Sequence, residues 1–222
     1  MVQIAPFFAV PFGLARLDDP ARLNSELRAL FLQRAAEGTR HANPRPLTQR
    51  NAAVFESHFQ LFRWTEPCIK ELKEFCWREL MRMVGELNGY DTAKLERIQI
   101  YSDSWFHVTR RGGFFALHNH PMASWSGVYC VDPGKSDADK PDSGLLSFVN
   151  PTITSAMYLD VATAGIRGPF SYSIRHLRLE PGQLVLFPSW VLHDVKPYEG
   201  EGERITVAFN CWFALPESGP GP

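Results

Sequence analysis

From about Lys94 onward the sequence breaks into short β-like segments separated by Gly, Pro, Asp and Asn: Ile98 to Thr109, Ser126 to Val131, Leu145 to Val149, Tyr172 to Leu179, Leu184 to Phe187, Val191 to Val195 and Arg204 to Phe213. Segments this short cannot each bury a face alone. Their spacing predicts packed antiparallel sheets, a sandwich or a jelly roll. Before Lys94 the period is helical. "DDPARLNSELRALFLQRAAEG" offers Asp18 or Asp19 as N-cap, Pro20 in the first turn, an apolar face of Leu23, Leu27, Leu30 and Phe31, and Gly38 as a stop. "TEPCIKELKEFCWRELMRMVGEL" repeats the pattern with Thr65 as cap, Pro67 in the first turn, and Ile69, Leu72, Phe75, Cys76, Leu80, Met83 and Leu87 on one face. Between them, "HANPRPLTQRNAAVFES" fits neither period and reads as an irregular connection. The fold expected is mainly β with N-terminal α, a single domain over 1–222 with helical support at 1–93 and a β core at 94–215.

Composition narrows the function classes. The 222 residues carry a formal net charge of -1, so no overall field draws the chain to nucleic acid or to an anionic membrane. A small-molecule or peptidyl substrate is expected instead. The cysteines Cys68, Cys76, Cys130 and Cys211 form no C-x-x-C, and buried free thiols in a reducing compartment are expected. The leading "MVQIAPFFAVPFGLAR" lacks a basic start and holds Pro6 and Pro11, which disfavour a signal peptide. The reading is a soluble, cytoplasmic protein. Oligomeric state has no signature in the sequence.

Chemistry concentrates in "FFALHNHPMASWSGVYCV", where His118 and His120 stand at alternate positions. On a strand, alternate residues share a face with Cα atoms about 6.5 Å apart, so both imidazoles can reach one ion, although two half-exposed strand polars would look the same. His193 lies in "LVLFPSWVLH", ahead of the turn-rich "KPYEGEGE". If that turn closes a hairpin, His193 sits beside Arg204, Ile205 or Thr206. The following strand alternates between apolar Ile205, Val207 and Phe209, which can receive the helices, and Arg204, Thr206, Ala208 and Asn210, which would line an interior. A guanidinium there either clamps a carboxylate ligand or forms a salt bridge with Glu or Asp. Trp105 and His107 share a face just before the His-x-His segment, near the site or simply packed. Trp125 and Tyr129 are open to the same two readings. His41, His58 and His176 have no patterned partner.

The ordered set of His118-x-His120-Pro, "SGVYC", "GLLSF", "FPSW" leading to His193, and Arg204-x-Thr206 resembles the Fe(II)/2-oxoglutarate-dependent oxygenases, most closely their bacterial and phage branch. The resemblance covers Ile98 to Phe213. It implies a double-stranded β-helix (jelly roll) buttressed by helices, with His118 and His193 as iron ligands. It also implies that Arg204 and Thr206 bind the far carboxylate of the cosubstrate 2-oxoglutarate, with Asn210 a weaker candidate. The implied activity is hydroxylation of a substrate with release of succinate and carbon dioxide. One position departs from the family. Where the usual pattern has Asp or Glu as the third ligand, this chain has His120, which leaves the ion's charge unreduced. Asp194, the neighbour of His193, should face away. A cupin-like three-histidine metalloenzyme acting without 2-oxoglutarate and a non-catalytic jelly-roll binding protein are the alternatives. Asp132 to Gly144 and Ser155 to Phe170 are candidate lids.

Overall fold

The computed structural model describes all residues except 1, 5, 7, 153–157, 159 and 217–222. The first part of the second candidate lid, from Ser155, lies outside the described residues, as does the end of the C-terminal tail. The chain runs β1 (Gly13–Arg16), α1 (Ala21–Ala36), β2 (Val54–Glu56), α2 (Pro67–Asn88), α3 (Thr92–Arg97), β3 (Gln99–Thr109), β4 (Phe115–His118), β5 (Trp125–Asp132), β6 (Lys135–Ser136), β7 (Leu146–Phe148), β8 (Arg175–Leu177), β9 (Gln183–Pro188), β10 (His193–Val195), β11 (Gly200–Glu201) and β12 (Arg204–Ala214). The strands form a six-stranded sheet in the order β1-β9-β5-β12-β3-β2, a four-stranded sheet β4-β10-β7-β8, and a β11-β6 ribbon. Every pairing between these strands is antiparallel. No described helix is long and apolar enough to cross a membrane.

The two long helices lie where the alternation of β12 requires. Leu23, Leu27 and Phe31 of α1 and Ile69, Leu72, Phe75 and Leu80 of α2 share one buried cluster with Phe106, Val108, Ile205, Val207 and Phe209 of the large sheet. Phe31 stacks on Phe106 with ring centroids 4.2 Å apart. Each such side chain contributes roughly 1.5–3 kcal/mol by leaving water, so the helices are held by this face more than by their ends. The ends are in fact uncapped by side chains. Pro20, not Asp18 or Asp19, occupies the N-cap of α1, and Glu66, not Thr65, that of α2. In both cases the proline within one residue of the start fixes the first turn. The opposite face of the large sheet meets the small sheet through Cys130, Leu146, Phe148, Val185, Phe187 and Val191.

Expected strands recur as β3, β5, β7, β8, β9, β10 and β12. The expected hairpin does not form. β10 pairs with β4 and β7 in the small sheet, while β12 pairs with β3 and β5 in the large one. The connecting turn spends its hydrogen bonds elsewhere. Gly112 N–H donates to Tyr198 O, Tyr198 N–H to Gly113 O and Gly144 N–H to Pro197 O. Gly200–Glu201 pairs with Lys135–Ser136. The turn is therefore a bridge between sheets, and His193 is not a strand partner of Arg204.

Candidate active site

The two sheets separate at one end around a cavity of about 470 Å³ whose lining includes His118, His120, His193, Arg204 and Thr206. His118 ends β4 and pairs in register with His193 of β10. His120 lies beyond the strand, so the two histidines converge through the turn that follows β4 and not through strand alternation. Its backbone N–H donates to Ser189 O at 2.8 Å, which fixes that turn. One ring nitrogen from each of the three imidazoles lies within 4.8 Å of the others, and no other group of three or more potential ligands gathers so closely among the described residues.

The remaining ring atoms show why these imidazoles fit a metal. His118 Nδ1 is 2.7 Å from Ala116 O and His193 Nδ1 is 2.9 Å from Val191 O. A carbonyl only accepts, so each Nδ1 carries the proton and each Nε2 keeps its lone pair free, the usual support of a metal-bound histidine. Burial favours the neutral rings. It pushes His193 down to about 3 and His120 to about 4, each helped by the neighbouring His118, and lowers His118 as well. Three neutral donors converging in a half-buried cavity suit a borderline divalent ion such as Fe(II).

Arg204 lies on the same cavity, 5% exposed, and among the described residues its guanidinium has neither a hydrogen bond nor an ion pair. Burial pulls its pKa below the ordinary arginine value. A buried cation without a partner is costly, and the cavity is where an anion can meet it. Thr206, on the same face of β12, is 2% exposed. Asn210 is also on that face but six residues from Arg204, roughly 20 Å along the strand. Its Oδ1 accepts from Ser126 Oγ at 2.7 Å. Asp194 pairs in register with Ser147, bonds Lys196 at 3.1 Å and does not line the cavity.

Other residues do more at the site than the sequence suggested. His107 lines the cavity, and its Nε2 accepts from Trp105 Nε1 at 2.9 Å with Glu56 Oε2 3.2 Å away. Burial lowers the His107 pKa against the opposing pull of Glu56. Glu56 Oε1 accepts from Asn43 Nδ2 at 2.7 Å and lies 3.7 Å from Arg50. Trp105 stands 6.2 Å from the His120 ring. Glu56 and Gln49 come from the stretch read as irregular, and Phe59 lies two residues past its end. A single acid at the end of the apolar β2 run was the available signal. Trp125 and Tyr129 do not line the cavity, and Tyr129 packs in the core, its hydroxyl donating to Asn24 Oδ1. The Asp132 to Gly144 segment is held away from the cavity by Arg111 on Asp137 and Ser143 on Glu199.

Residues 103–210 match a family model described as "Putative 2OG-Fe(II) oxygenase", and the match takes in His118, His120, His193, Arg204 and Thr206. This stretch carries the signature of the 2OG-Fe(II) oxygenases. No curated protein matches this chain. Solved structures do, at low identity and over nearly the whole chain. A Pseudomonas putida prolyl-4-hydroxylase is 15% identical, with 93% of this chain and 94% of that one covered and a TM-score of 0.55. AviO1 from Streptomyces viridochromogenes Tue57 is 15% identical, with 96% and 94% covered and a TM-score of 0.58. HygX from Streptomyces hygroscopicus, solved with nickel, 2-oxoglutarate and hygromycin B bound, is 11% identical, with 95% and 84% covered and a TM-score of 0.55.

Proposed function

We propose that this protein holds Fe(II) with His118, His120 and His193 and takes 2-oxoglutarate against Arg204 and Thr206. The single observation that carries this reading is the unpaired, buried guanidinium of Arg204 in the cavity of the three histidines. When bound, iron and 2-oxoglutarate supply the chemistry that joins dioxygen, 2-oxoglutarate and a substrate C–H bond and yields an alcohol, succinate and carbon dioxide. The chain's own part is orientation. Arg204 offers a planar fork to the far carboxylate, Thr206 adds a hydroxyl, and Phe148 and Phe187 pack within 6 Å of the His193 ring and limit water there. Asn210 stands too far along β12 to share the carboxylate held by Arg204.

The fold is read as a double-stranded β-helix, the two sheets being its halves and 1–93 its helical support, in one domain over 1–222. The substrate is a small molecule or a residue of a peptide, both of which fit a cavity of about 470 Å³. HygX and a Trichoplax adhaerens prolyl hydroxylase are solved with molecules of these two kinds bound, hygromycin B and a peptide fragment. Four free, buried cysteines support a reducing, cytoplasmic setting. The all-histidine donor set favours the cupin-like alternative; the partnerless Arg204 favours the oxygenase. Arg204→Ala separates them. It is expected to weaken 2-oxoglutarate binding by about a hundredfold, the scale of a lost charge-assisted pair, with metal content unchanged. Calorimetry showing unaltered affinity would remove this reading's support.

A further inference from the structure

One end of the cavity lies apart from the residues proposed to hold metal and 2-oxoglutarate. Asp103 of β3 and Asn210 of β12 are partners in register, two positions from the Trp105 and Ala208 pair that stands at the level of His120. They therefore sit about 7 Å further along the strands than that pair, on the side away from Arg204. Both line the cavity. Among the described residues, the Asp103 carboxylate has neither a hydrogen bond nor an ion pair. Burial pushes its pKa up against the pull of Arg63, an exposed residue outside ion-pair distance. Asn210 accepts from Ser126 through Oδ1, while its Nδ2 has no partner among the described residues.

The walls of this end are aromatic. Phe59 and Trp105 lie 4.5 Å apart, and Trp212 is tied through Nε1 to Met122 O, so that both Trp212 and Met122 line the space. The other charged side chains of the cavity are occupied or distant: Glu56 by Asn43 and Arg50, and Arg204 at the far end. One partnerless carboxylate thus sets the charge of a half-buried, aromatic compartment. That combination attracts organic cations through a charge-assisted bond and through ring faces. A neutral occupant would desolvate the acid without replacing the lost water, which costs affinity and gives discrimination.

We propose that this end is the subsite for the substrate to be oxidised, and that it selects an ammonium or guanidinium with a neighbouring oxygen acceptor. Asp103 receives the cation and Asn210 Nδ2 donates to the oxygen. The proposal rests on the reading of the three histidines as the reacting centre. The probes are 2-amino-1-phenylethanol and its neutral isostere 1-phenylethane-1,2-diol, offered to the protein loaded with Mn(II) and 2-oxoglutarate. Paramagnetic relaxation of their protons reports affinity and nearness to the metal. The amino alcohol is expected to bind at least about tenfold more tightly, the scale of one charge-assisted contact. Asp103→Asn should bring the two probes within about twofold of each other, and Asn210→Asp should widen the gap. Equal affinities in the parent, or a preference that survives Asp103→Asn, overturn the proposal. If metal and 2-oxoglutarate bind and the preference is missing, the subsite alone falls. If neither binds but saturation-transfer spectra show the Asp103-dependent preference, the subsite stands and the oxygenase reading falls.

Discussion

At the residue scale, the site is a set of groups made uncomfortable by burial. The histidines illustrate the sign. Their folded pKa values lie below the ordinary histidine value, so the fold prefers the neutral rings. That contribution to stability is complete above about pH 6.5 and is lost as pH falls through the folded values of about 4 for His120 and about 3 for His193. Metal-free protein should therefore unfold at lower denaturant concentration at pH 5 than at pH 7. A His193→Gln variant, which has no proton to gain there, should lose less over the same interval. Equal losses in parent and variant would mean that His193 is not held neutral by the fold. Arg204 is the converse case, a permanent cation that burial leaves without a partner among the described residues.

At the element scale, β12 organises the molecule. One face carries Ile205, Val207 and Phe209 to the helices, and the other carries Arg204, Thr206 and Asn210 to the cavity. Gly127 of β5 makes this packing possible, because the Phe209 ring lies across it. A Cβ at Gly127 would stand 2.2 Å from Phe209 Cζ. Gly127→Ala is expected to cost about 1–3 kcal/mol, the usual range for overpacking, measured as a lowered denaturation midpoint. A midpoint equal to the parent's would show that the ring moves freely. The alternation of β12 was legible because each residue answers to the nearest layer, and the helices were legible for the same reason. The 193–204 hairpin was misread because local turn chemistry says nothing of Gly112, Gly113 and Gly144, which claim the turn's hydrogen bonds from far along the chain. Glu56 and Asp103 were missed on related grounds. A lone acid becomes a site residue only when a distant strand puts a cavity in front of it.

At the scale of the whole molecule, helices, large sheet and small sheet divide the labour. The helices close the outer face of the large sheet, the inter-sheet core holds one end of the gap shut, and the cavity opens at the other. A fold of this kind brings His118 of β4, His120 of the turn after it, His193 of β10 and Arg204 of β12 to one cavity. Whether metal and 2-oxoglutarate meet in this cavity is decided by anaerobic titration of metal-free protein with Fe(II) and then 2-oxoglutarate, followed by visible absorbance. A charge-transfer band is expected only when both are present, and none is expected from His193→Ala. Iron binding with no band on addition of 2-oxoglutarate would contradict their meeting there.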